Sequence, residues 1–166
     1  MIPVRPMATI MNTMDESRLL DEVSRVLEGD GDRERKVVGI AGAIRRADSY
    51  RWVGIYEVTK DEIANLAFDG PSAPAHPRFP VTQGLSGAAV ASGETVVVGD
   101  VSKDPRYLTA FGSTRSEMII PVLDRAGRRV VGTIDVESDQ VDAFSEEERA
   151  ALERCAAAIA ELFEES

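Results

Sequence analysis

Two apolar runs, Glu117–Leu123 and Arg129–Glu137, are separated only by the turn formers Asp124-Arg125-Ala126-Gly127 and by Arg128. Four turn-forming residues can join strands that lie side by side and antiparallel, whereas a parallel pair needs a crossover of about a dozen residues. The pattern recurs upstream. Arg51–Val58 is rich in aromatic and β-branched residues, and Ile63–Phe68 follows it across Lys60-Asp61, a second predicted hairpin.

Helical spacing marks both ends of the chain. Leu19, Leu20, Val23, Val26 and Leu27 share one face of a helix that stops at Gly29-Asp30-Gly31. A second helix is predicted from an Asp32 cap to Arg46, with Val37, Val38, Ile40, Ala41 and Ile44 on its apolar side. Gly39 and Gly42 each weaken it by about 1 kcal/mol relative to Ala, so close packing against a neighbouring element is the expected compensation. Near the C-terminus, Ser145-Glu146-Glu147-Glu148 has the form of a capping box, followed by an apolar stripe of Leu152, Cys155, Ala156, Ile159, Leu162 and Phe163. Between the hairpins, Asp69–Pro80 holds four prolines and reads as a loop. Gly84–Gly93 reads as a short helix of small residues closed by glycine, Thr95–Val98 as a strand, and Gly99–Ser113 as an irregular excursion. Helices flanking hairpin-linked strands predict an α+β fold with an antiparallel sheet.

A chain of 166 residues suits one core. A single domain is expected over 15–166, preceded by a mobile tail over 1–14. With a net charge of −10 and its arginines interspersed with acids, the sequence lacks the basic stripe that nucleic acid requires. No apolar run approaches the roughly 18 residues of a membrane span, and the first residues lack the hydrophobic core of a signal peptide. Cys155 is the only cysteine, so an internal disulfide is impossible and a cytoplasmic location is the default.

Strand parity carries the functional reading. Residues two apart share a face, so Asp135 and Glu137 point together, with Val131 and Thr133 beside them and Ile134 and Val136 opposite. Carboxylates this close repel unless water, protonation or a cation relieves them, and a bound ammonium group would do so. The competing reading places both in water at a strand end, and Glu117 at a solvated strand start or paired with Arg115. Trp52, Gly54 and Tyr56 likewise share a face. They would wall a small-molecule pocket, with cation–π attraction to a cationic ligand, or simply pack the core. His76, the only histidine, sits among prolines and reads as a surface loop residue; alone it makes no metal site. Ser86 as a nucleophile would need a positioned base, for which His76 is the only imidazole, and Cys155 reads as a buried structural thiol. No catalytic residue, cofactor or metal is expected.

The stretches Trp52-Val53-Gly54-Ile55-Tyr56, Pro80–Gly87, Thr114-Arg115-Ser116-Glu117 through Val122, and Gly132-Thr133-Ile134-Asp135-Val136-Glu137-Ser138 together resemble a GAF domain. Within that superfamily the chain is most similar to the free methionine-(R)-sulfoxide reductases, over roughly Leu19 to Leu162. The resemblance implies a central sheet of five to six strands, with N- and C-terminal helices on one face and a loop-covered pocket on the other. It also implies homodimers. In those reductases three cysteines perform the reduction; the matching positions here are His76, Ser86 and Ala110. A serine hydroxyl stays protonated at neutral pH and forms no disulfide, so neither attack nor recycling survives the replacement. The family's substrate-binding side chains match residues retained here, with Trp52 and Tyr56 as an aromatic wall and Glu117, Asp135 and Glu137 as an acidic floor.

The expected function is therefore non-catalytic binding of a small molecule with an amino or cationic group, in a sensory or regulatory role. Ser86 and His76 are expected among the ligand-binding residues. No attached output domain is expected, and regulation is expected to act through a separate signalling partner. The alternatives are a reductase-like enzyme with altered or residual activity, using Cys155, and an interaction module whose pocket has collapsed.

Overall fold

The computed structural model describes residues 14–109 and 111–164. Helix α1 (Glu16–Glu28) starts where the Asp15 carboxylate accepts from the Arg18 amide, and α2 (Arg33–Ala47) starts where Asp32 does the same for Arg35. These caps satisfy amides that have no intrahelical partner. The close approach expected at the α2 glycines is present: a side chain at Gly39 would press on Val26 of α1, and one at Gly42 on Arg46 and Asp69.

Strands β1 (Trp52–Val58) and β2 (Glu62–Asp69) form the first hairpin, and β5 (Ser116–Leu123) and β6 (Val130–Ser138) the second. Two short strands, β3 (Arg78–Pro80) and β4 (Val96–Val98), complete a six-stranded sheet in the order β3-β2-β1-β6-β5-β4, with every neighbouring pair antiparallel. The reading of Asp69–Pro80 as loop throughout is corrected at both ends: Asp69 closes β2, and Arg78–Pro80 pairs with Glu62–Ala64. Pro80 hid β3 in the sequence, yet at the sheet edge its missing N–H costs no ladder bond.

Helix α3 (Gly84–Ser92) lies over the β4–β5 side and ends at Gly93, whose φ of 68° completes the left-handed cap. Helix α4 (Glu146–Ile159) begins with the full capping box: the Ser145 hydroxyl accepts from the Glu148 amide, and the Glu148 carboxylate accepts from the Ser145 amide. A 3-10 turn, Ala160–Phe163, follows it.

The sheet divides the apolar interior in two. On one face α1, α2 and α4 bury Leu19, Ile40, Ile44, Leu152, Cys155 and Ile159 against Val53, Ile55, Ile120, Ile134 and Val136. Met14 packs against this cluster; the rest of the expected tail, residues 1–13, lies outside the described residues. The opposite face carries two smaller clusters, one around Leu85, Ala89 and Ile119 beneath α3, the other around Trp52, Tyr56 and Ile63. Parity fails once. Val131 belongs to the helix-side core instead of the acidic face, because the β5–β6 register slips between Val122↔Gly132 and Leu123↔Val130 and leaves Val131 in a bulge. Among the described residues no helix is long and apolar enough to cross a membrane.

Candidate functional site

On the face away from the three helices, register places Glu137 between Trp52 of β1 and Glu117 of β5, and Asp135 between Gly54 and Ile119. Glu117 and Glu137 are thus directly opposed, an arrangement of like charges that destabilises a bare sheet. The solvated alternative is excluded: Glu117, Asp135 and Glu137 are 6%, 8% and 1% exposed. One carboxylate oxygen from each lies within 4.8 Å of the others. The sequence suggested no metal-type cluster because its residues are separated along the chain; antiparallel pairing of β5 with β6 brings them together.

None of the three enters an ion pair among the described residues. Asp135 Oδ1 and Glu137 Oε2 are buried without hydrogen-bond partners among the described residues, as are the hydroxyls of Thr114 and Thr133. Loss of solvation is the main cause that raises all three carboxyls above their usual range. The charges of Asp135 and Glu137 push Glu117 further, and Asp135 does the same to Glu137. A hydrogen bond between Glu117 and Asp135 raises the first carboxyl further and lowers the second, while the Thr114 hydroxyl and the Arg51 charge favour ionised Glu137. Desolvation together with the three acids also raises the Tyr56 phenol.

A cavity of about 40 Å³ opens onto the triad, lined by Tyr56, Ser86 and the three acids below and by Pro74, His76 and Leu108 above. The His76 imidazole lies 3.3 Å from the Thr109 carbonyl and bridges the two covering loops. Ser86, 6% exposed, reaches the cavity from the first turn of α3. Trp52 does not line it. The indole donates to the Ser72 carbonyl over 3.1 Å, stacks on Phe68 at 6.1 Å and meets Phe111 at 5.5 Å. Gly54 makes room for this packing, since a side chain there would collide with both the Trp52 and Tyr56 rings. Trp52 therefore buttresses Tyr56, at a centroid distance of 6.4 Å, instead of facing the cavity.

Cys155 is fully buried in the helix-side core, across the sheet from the triad, and its thiol is pushed up to about 12 by desolvation. The Ala110 position lies outside the described residues. Strand parity locates Thr133, but no periodic signal marks Thr114, Pro74 or Leu108, which reach the site through irregular segments. Larger hollows of about 560 Å³ at the α1–α2 end and 900 Å³ beside the β5–β6 turn contain no comparable buried cluster.

Helices α1, α2 and α4 on one face of an antiparallel sheet, with a loop-covered cavity on the other, define an α+β domain of the GAF type. The chain belongs to the GAF domain family, whose sequence profile matches residues 19–162. It is 28% identical over 129 residues to GAF domain-containing protein A of Dictyostelium discoideum, covering 77% of this chain and 79% of that protein. The free methionine-R-sulfoxide reductase of Neisseria meningitidis, solved with its substrate, is 30% identical and superposes with a TM-score of 0.82 over 99% of this chain and 96% of that one. The type II free methionine-R-sulfoxide reductase of Thermoplasma acidophilum is also 30% identical, with a TM-score of 0.76 over 80% of this chain and 93% of its own.

Proposed function

We propose that this protein is a non-catalytic receptor for a small ligand carrying an amino or other cationic group, held by Glu117, Asp135 and Glu137 beneath the loops that carry His76 and Leu108. The observation that carries the reading is the convergence of three buried carboxylates on one cavity, without an ion-pair partner among the described residues. Burying charge without compensation is costly, and a cation would supply the compensation. Tyr56 and Ser86 complete the lining. An organic ligand enters by parting the loops joined at His76 and Thr109, and its binding orders that cover; Trp52 sets the position of Tyr56. A homodimer acting on a separate signalling partner is part of this proposal.

Thermal shift against amino acids and polyamines tests it. A ligand at 100 times its dissociation constant adds about 2.7 kcal/mol, or roughly 5 to 10 °C for a domain this size. The Glu117→Gln, Asp135→Asn double variant is expected to fold and to lose the shift. A shift that persists in the double variant places the ligand elsewhere.

Similarity to the reductases favours a second reading, an enzyme that reduces free methionine-R-sulfoxide. Against it, the only thiol is buried across the sheet from the cavity. A coupled assay with that sulfoxide and a thiol reductant is expected to show no turnover. Turnover abolished by Cys155→Ala would replace the binding reading.

A further inference from the structure

We propose that the Glu117–Asp135–Glu137 triad binds a single hard divalent cation of the Ca²⁺ or Mn²⁺ class. This rests on the reading of the triad as a cation receptor and narrows it from an organic ammonium group to a metal ion.

Geometry supplies the first argument. Ca²⁺ binds oxygen at about 2.3–2.6 Å, so two oxygens on opposite sides of one ion stand about 4.6–5.2 Å apart. The three carboxylate oxygens lie within 4.8 Å of one another, so small side-chain adjustments bring all three within reach of one ion of that size. Mg²⁺, at about 2.0–2.1 Å and strict in its octahedral geometry, needs a tighter set.

Donor chemistry supplies the second. The cluster is made of carboxylate oxygens alone, with His76 at the cavity rim and the only thiol across the sheet. Oxygen-only donors suit Ca²⁺, Mn²⁺ or Mg²⁺ over Zn²⁺ or Cu²⁺. Two of the carboxylate oxygens, Asp135 Oδ1 and Glu137 Oε2, have no hydrogen-bond partner. The Thr114 hydroxyl is a separate observation. It belongs to a residue 5% exposed, stands beside Glu137 and makes no well-formed hydrogen bond. In the proposed site this hydroxyl, beside Glu137, supplies a further neutral oxygen donor.

Size supplies the third. About 40 Å³ of cavity adjoins the triad, whereas organic-ligand pockets measure about 300–1,000 Å³. One water needs about 10–15 Å³. The cavity as it stands therefore accepts an ion's remaining waters with the loops closed, while an organic amine must first displace the cover.

The test uses the full chain stripped with EDTA and dialysed, at pH 7.5, with Mn²⁺ as the probe, followed by equilibrium dialysis and electron paramagnetic resonance; thermal shift is recorded in parallel with Mn²⁺, Ca²⁺ and an amine panel. The expected result is one Mn²⁺ per chain, displaced by Ca²⁺, with affinity reduced at least tenfold in both Asp135→Asn and Glu137→Gln. Thr114→Val, which leaves the carboxylates in place, is expected to weaken binding by a smaller factor and to guard against variants that fail through misfolding. Mn²⁺ binding unchanged in the two carboxylate variants would assign the ion to surface acids and overturn the inference. Absence of Mn²⁺ and Ca²⁺ binding, together with an amine-induced shift lost in the same variants, would overturn the inference and leave the proposed function standing. If neither metal nor amine acts, both fail.

Discussion

Glu137→Gln is expected to stabilise the ion-free protein at pH 8 while removing its affinity for cations. Glu137 is 1% exposed, with an unpartnered Oε2. Its nearest charges are those of its own triad, within 4.8 Å, where a pair of like charges costs about 3–4 kcal/mol at an effective dielectric near 20. Burial and Asp135 raise its carboxyl above the unfolded value, so the folded state holds its proton more tightly than the unfolded state does. Such a group contributes stability that is fully present below the unfolded value, near pH 4.5, and that is lost as pH rises through the folded one. The glutamine has no proton to lose, and its amide can donate to Asp135. Allowing for relaxation around the site, the gain at pH 8 is about 1–3 kcal/mol, counting about 1.4 kcal/mol per pH unit of displaced titration. That corresponds to roughly 3–10 °C in Tm. Thermal denaturation of both proteins in EDTA at pH 8 and pH 4 measures it, and the gain should largely vanish at pH 4. A destabilised variant at pH 8, or a difference that does not change with pH, would refute the claim that Glu137 is held under electrostatic stress.

Three further outcomes test the framework around the site. Leu152→Ala removes a fully buried side chain of α4 and should cost about 2–5 kcal/mol in urea denaturation. Gly54→Ala places a methyl group against the Trp52 and Tyr56 rings, so it should cost about 1–3 kcal/mol and perturb tryptophan fluorescence. Native Cys155 should resist a thiol-titrating reagent at pH 8 and react fully once the chain is unfolded, because its thiol is fully buried and pushed up to about 12.

Local chemistry made most of the framework legible. The Asp32 and Ser145 caps, the Gly93 stop and both hairpins act within a few residues of themselves, so their signals survive in one dimension. Parity placed Asp135, Glu137, Trp52 and Tyr56 on one face because the pleat alternates strictly with chain position. It misplaced Val131, because a bulge is a property of two paired strands.

What the sequence determined by itself was the α+β order of elements and the set of acids available to one face of the sheet. Tertiary structure decided the rest. Only the β5–β6 pairing opposes Glu117 to Glu137 and gathers the three carboxylates, none of which has an ion-pair partner among the described residues. Only packing against Phe68 and Phe111 turns Trp52 away from the cavity, and only the meeting of two distant loops at His76 and Thr109 closes it to about 40 Å³. The physical reason is range: propensity and parity act between neighbours in the chain, whereas burial, like-charge proximity and cavity volume depend on which segments meet in space.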